Sequence, residues 1–182
     1  MVVKARILTP AQLDLAYLAL FFGQRVNELV LEHLLRSGFD RARESHGYLI
    51  QHLIDAERTI TELAKRMEVS QQAASKSVAE LVRLGTLEIV PMKDRRAKRI
   101  RLSKRGWEAV QSARQERTRL DRRLMEAIGE KAHKKARASL LSCLEELGGL
   151  ERILDRRVQD ANGAIPDGGR KPRSRRKEHA GC

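Results

Sequence analysis

Apolar positions along the chain recur with a helical period, broken twice by short alternating runs. Residues 13–22 hold nine apolar residues in ten. Thr9-Pro10-Ala11-Gln12 offers a capping hydroxyl, a proline for the first helical position and a glutamine to complete a capping box. The pattern therefore predicts a long helix from Thr9, buried on most sides over 13–22, that continues through Leu29, Leu31, Leu34 and Leu35 and stops at Ser37-Gly38. A weaker helical stretch over 43–55 carries Tyr48, Leu49, Leu53 and Ile54, with Gly47 interrupting its propensity.

After Glu57 the pattern sharpens. Thr59 and Glu62 have capping-box spacing, and Ile60, Leu63, Ala64 and Met67 repeat as one face of a short helix. A tight turn, Glu68-Val69-Ser70, leads into a further helix capped by Ser70 and stopped at Gly85. Two short helices joined in this way form a helix-turn-helix. At 100° per residue the second helix divides: Ala74, Val78 and Leu81 face one way, flanked by Ala73, Ser77 and Leu84, and Gln72, Ser75, Lys76, Ala79 and Arg83 face the other. Gln71 lies near the helix start. The polar cluster contains no acid, which suits a phosphate-lined groove better than an ordinary solvated face with interleaved glutamates.

Beyond Gly85 the period becomes that of strands. Leu87 and Ile89 alternate with Glu88, and Ile100 and Leu102 with Arg99 and Arg101, around a loop over 91–98. From Lys93 to Arg105 there are eight basic residues and one acid, a density that suits a probe of phosphates or of a minor groove. Ser103 caps a following helix through Trp107, Val110, Leu120 and Leu124 that breaks at Gly129. A last helix presents Leu140, Leu144 and Leu147, then Leu154 and Val158 after Gly148-Gly149, spacings that suggest a helix–helix seam.

Composition adds the partner class by charge. The formal net charge of +13 attracts polyanions, and the 41% hydrophobic content suffices for a core in one domain of 182 residues. Residues 161–182 hold six basic and two acidic groups amid Gly and Pro, and predict a disordered basic tail. No apolar run is long enough to span a bilayer, so no membrane partner is expected. Two cysteines, Cys143 among leucines and Cys182 at the end, make neither a disulfide framework nor a CxxC site, and favour the reducing cytoplasm. Cys143 reads as an inert buried side chain. There is no Gly-rich phosphate loop, GxSxG, HExxH or CxxC, so the reading calls for no enzyme activity, cofactor or metal; Glu32, His33, His46 and His52 lack the paired spacing of ligands.

The order of elements, and above all Asp94-Arg95-Arg96 leading through Ile100-Arg101-Leu102-Ser103-Lys104-Arg105-Gly106, resembles the MarR family of winged-helix transcription regulators. The specific match covers residues 57–107, and the helix order extends it to 9–158. The resemblance implies a mostly α fold with a small β-hairpin wing: an N-terminal dimerisation helix in 1–40, a winged helix-turn-helix in 41–106, C-terminal dimerisation helices in 107–160, and the tail over 161–182. It further implies a nucleoid-associated homodimer that reads a pseudo-palindromic operator in double-stranded DNA, as a repressor released by a small aromatic or lipophilic effector. The chemistry of base edges selects Gln72 and Lys76, then Gln71 and Ser75, on the reading helix, because Gln pairs with adenine and Lys with guanine. Lys93, Arg95, Arg96 and Lys98 are the wing candidates, and Asp94 holds an arginine or caps the turn. Tyr17, His46, Tyr48, His52 and Trp107 are the candidate effector-pocket residues. The competing reading is an architectural protein that coats DNA or RNA without choosing sequence.

Overall fold

The computed structural model describes residues 9, 12–91 and 98–154. In chain order these form α1 (Leu15–Arg36), α2 (Glu44–Ile50) with a 3-10 turn over Gln51–Leu53, α3 (Ile60–Arg66), α4 (Gln71–Arg83), β1 (Leu87–Pro91), β2 (Lys98–Leu102), α5 (Lys104–Ile128), α6 (Glu130–Glu146) and α7 (Leu150–Leu154). The fold is mostly helical with one antiparallel hairpin. The tail over 161–182 lies outside the described residues.

Local capping chemistry sets most boundaries. Thr59 and Glu62 close a reciprocal capping box at α3, Ser70 accepts from the Ala73 N–H at α4, and Ser103 accepts from the Gly106 N–H at α5. Gly38, Gly85, Gly129 and Gly148 all take positive φ past helix ends. Gly148-Gly149 is thus a helix end, with α7 a separate short helix.

Two boundaries differ from the sequence pattern. Thr9 does bond Gln12, its N–H donating to Oε1 at 2.9 Å, but α1 begins at Leu15 because the Asp14 carboxylate accepts the Tyr17 N–H at 2.8 Å and takes the cap. The helix expected over 43–55 is α2 plus the 3-10 turn, and the tightening carries His52 and Leu53 into the interior.

The core gathers Leu49, Leu53, Leu63, Val78, Leu81, Leu87, Ile100, Leu102 and Val110. The hairpin pairs Leu87 with Leu102 and Ile89 with Ile100, so one face of each strand meets α4 and α5. A third backbone segment joins it: Arg58 donates its N–H to the Ile100 carbonyl at 3.0 Å and accepts the Ile100 N–H at 2.7 Å.

The expectation of burial fails for residues 13–22. Leu15 is 60% exposed, Phe21 50% and Phe22 48%, and Val30 alone is buried on α1, since α1 packs on α5 only along its later turns and no other described element covers its start. None of the residues of α6 is buried either, and Cys143 is half-buried rather than sealed in a core. Contrary to the expected flanking role, Ala73 on α4 is also exposed.

A polar clamp holds α1 to α5. Glu116, 3% exposed, accepts both Nε and a terminal N of Arg119 at 2.8 and 2.6 Å, and His33 of α1 lies with Nδ1 at 3.5 Å from it and Nε2 at 3.0 Å from Ser112 Oγ. The Arg119 hydrogen bonds hold the Glu116 carboxyl below the usual carboxylate range against the opposing effect of burial. A lowered pKa in the folded state contributes stability above the ordinary carboxylate range, and that contribution is lost as pH falls through the lowered value. Glu116→Gln is therefore expected to cost about 1–3 kcal/mol at neutral pH, with the difference from the parent chain closing on acidification. Urea unfolding across a pH series measures this, and a deficit independent of pH contradicts it.

Candidate nucleic-acid interface

The candidate reading helix, α4, is positioned from behind. Ala74, Val78 and Leu81 are buried, and Ala74 is small enough to let α3 lie close against α4. Between the two helices Glu68 takes φ 54°, a left-handed residue in the turn that the sequence pattern did not single out. The Val69 N–H then returns to the Ala64 carbonyl at 3.0 Å, and the chain enters α4 through the Ser70 cap.

Gln72, Ser75, Lys76, Ala79 and Arg83 all stand exposed on the opposite side of α4. Glu80, the acid bordering this face, is paired to Arg43. Gln71 is exposed too, but its Nε2 donates to Thr61 Oγ1 at 3.1 Å, tying α3 to α4 across the turn.

The hairpin's charges divide into two groups. Arg99 donates to the Glu57 carbonyl at 3.1 Å. Arg101 donates to Glu88 at 2.6 Å and Glu57 at 3.4 Å, and the Glu88 bond raises its pKa above the ordinary arginine value. Arg105 donates to the Gly38 carbonyl at 2.6 Å and lies 5.0 Å over the Phe39 ring. Three of the eight cations are therefore engaged inside the fold. Lys98 and Lys104 stand exposed, whereas Lys93, Asp94, Arg95 and Arg96 lie outside the described residues.

A cavity of about 810 Å³ opens between α1, the loop after it, α2, the end of α4 and α5. Of the candidate pocket residues, His46 and Tyr48 line it. Tyr17 is instead exposed on α1, its ring centroid 4.9 Å from that of Phe21; His52 is buried under the 3-10 turn; Trp107 is exposed on α5. None of these three lines the cavity. The wall is apolar at Val30, Leu34 and Phe39 and cationic at Arg41, Arg43, Arg83, Arg105, Arg114 and Arg117, with Asp40 and Glu44 opposing. Arg114 and Arg117 share a helical face with Val110 and Ala113, a spacing that could have marked them. His46 is buried, and burial, then the charge of Arg43, lowers its pKa and keeps it neutral at pH 7. Among the described residues no three His, Cys, Asp or Glu side chains gather as a metal site, and no helix is long and apolar enough to cross a membrane.

A sequence model described as MarR family matches residues 37–97, the span from the loop before α2 through the helix-turn-helix into the hairpin. Over that third of the chain the sequence is similar to the MarR family. No curated protein gives a significant match. Solved structures do: the YusO protein from Bacillus subtilis, at 21% identity, covers 72% of this chain and 91% of its own with a TM-score of 0.58. MepR, a transcription regulator of the Staphylococcus aureus multidrug efflux pump MepA, is 17% identical and covers 74% of this chain and 99% of its own at TM-score 0.61. A variant of MepR bound to an oligodeoxyribonucleotide is 21% identical, with coverage of 74% and 99% and a TM-score of 0.54. At these identities the likeness establishes the winged-helix fold of MarR regulators.

In this lobe the run from Leu102 and Ser103 to Gly106 has a physical reason. Ser103 Oγ donates to the Gly85 and Thr86 carbonyls at 2.5 and 3.0 Å while capping α5, and a Cβ on Gly106 would stand 2.2 Å from the Thr86 carbonyl oxygen. The wing is seated on α5 at that contact. Gly106→Ala is expected to destabilise the lobe by about 1–3 kcal/mol through this overlap with backbone. Denaturant titration checks it, and an unchanged midpoint contradicts the seating.

Proposed function

We propose that this chain is a sequence-specific DNA-binding transcription regulator that acts as a homodimeric repressor on a pseudo-palindromic operator and is released by a small-molecule effector. The observation that carries the reading is the exposed, acid-free face of α4, held rigidly by Ala74, Val78 and Leu81 on its other side. Such a helix fits the major groove, where Gln72 and Lys76 reach adenine and guanine edges and Ser75 a phosphate or base. Gln71 has a second role, since its amide braces α3 against α4. Lys98, with Lys93, Arg95 and Arg96, supplies the wing's contacts to the backbone and minor groove. The oligodeoxyribonucleotide bound to the MepR variant supports assigning DNA as the partner.

Dimerisation accounts for the apolar surface. Leu15, Leu18, Phe21 and Phe22 on α1, Leu140 on α6 and Leu147 just past its end are exposed in a single chain. A helix apolar around most of its circumference is stable in water when another surface covers it, and a second copy offers the same stripes. The domain limits that follow are dimerisation elements over 1–40 and 107–160 flanking the reading lobe over 41–106. The cavity, apolar with an arginine-rich rim, suits an effector that is amphiphilic and anionic.

Competition titration at fixed salt tests the assignment. Gln72→Ala or Lys76→Ala is expected to cost about 1–3 kcal/mol at one base position and relax preference there, whereas Arg96→Ala weakens specific and random duplexes alike and flattens the salt dependence. The parent chain should prefer its site over random DNA by roughly 10³-fold or more. Displacement in proportion to added random DNA or RNA, with equal losses for all three variants, supports the architectural reading instead.

A further inference from the structure

The cavity and the reading helix share one carboxylate. Glu80 sits on α4 one turn beyond Lys76 and does not line the cavity, yet the two groups nearest its carboxylate do. Arg43, the residue before α2, forms an ion pair with it, and His46 Nε2 lies 3.9 Å from the same oxygen. Farther along α4, Leu81, Arg83 and Leu84 form part of the cavity wall itself. We propose that Glu80 is a positioning residue through which the cavity holds the reading helix, and that an organic anion in the cavity acts by drawing Arg43 away from it. The inference rests on the effector reading above and adds the route by which occupancy reaches the DNA-facing side chains.

Three observations carry it. The Arg43 side chain is 60% exposed and that of Glu80 25%, so the pair is accessible to a competing anion and is held by one contact rather than by a buried network. His46 Nε2 is buried and has no hydrogen-bond partner, so the wall keeps a polar group beside Arg43 that an incoming oxyanion would satisfy. The rim's charges favour that exchange: six arginines face Asp40 and Glu44, and Glu44 already accepts from Asn27 at 3.1 Å. A carboxylate bound between Arg43 and His46 would also stand close to Glu80, and two like charges at such a distance repel. Occupied and empty cavities then differ in how α4 is held, which is the differential interaction an effector requires.

Benzoate, an apolar ring with one carboxylate, is the probe. Amide hydrogen exchange is followed along α4 and, as internal reference, along α5 in the full chain, with benzoate binding measured by calorimetry. In the parent chain saturating benzoate is expected to speed exchange over 71–83 about fivefold and leave 104–128 unchanged. Glu80→Gln should exchange fast without benzoate, still bind it, and gain nothing further. The charge swap Arg43→Glu with Glu80→Arg should restore slow exchange in the empty protein, which separates loss of the pair from general loosening. If benzoate binds and α4 exchange is unchanged, or speeds equally in Glu80→Gln, the coupling is overturned while the effector site stands. If benzoate does not bind the parent chain, the effector reading falls and the coupling with it.

Discussion

Helix α4, the proposed reading helix, is fixed along one side only. Ala74, Val78 and Leu81 are sealed against α3, the 3-10 turn and the strands, while residues one or two places away on the same helix are open. Leu81 alone, fully buried, contributes on the order of 1.5–3 kcal/mol of apolar transfer, far more than a surface contact on the opposite face would. The same core seats the wing, because Leu87, Ile100 and Leu102 pack into it from the hairpin and Val110 from α5. Helix α4 and the wing therefore share one core, and whatever grips α4 from its flank bears on both.

That arrangement changes the meaning of the positive charge. A formal +13 suggests a diffuse field, but many of the arginines are occupied within the fold. Arg99 and Arg101 brace the hairpin against Glu57 and Glu88, Arg105 fastens the loop after α1 to α5, Arg119 neutralises Glu116, and Arg43 turns Glu80 aside. The last of these matters for recognition, since an unpaired glutamate beside Lys76 would repel a phosphate backbone. Arginine suits such structural pairing because its planar fork serves two acceptors at once.

Much of the fold was legible because its signals are local. Caps at Thr59, Ser70 and Ser103 and stops at Gly85 and Gly129 depend on residues within one turn, and the two faces of α4 follow from its 100° period. Long-range features were not. Nothing in the pattern marks Arg58 as a bridge to Ile100, and a single paired residue has no period to read. The cavity draws Phe39, Arg43 and Arg105 from a loop, a helix cap and a first turn, whereas Tyr17, His52 and Trp107, on helices that border a cleft in the sequence pattern, do not line it. The apolar run over 13–22 predicts burial and is exposed, because an apolar stretch does not encode whether its cover comes from the same chain.

Selection of bound sequences from random duplex DNA tests the central claim that two α4 helices read DNA as a symmetric pair. The account predicts an inverted repeat whose half-site centres lie about one helical turn, roughly 10 base pairs, apart or a multiple of that. Recovery of no shared sequence, or of a single unrepeated site, would contradict it.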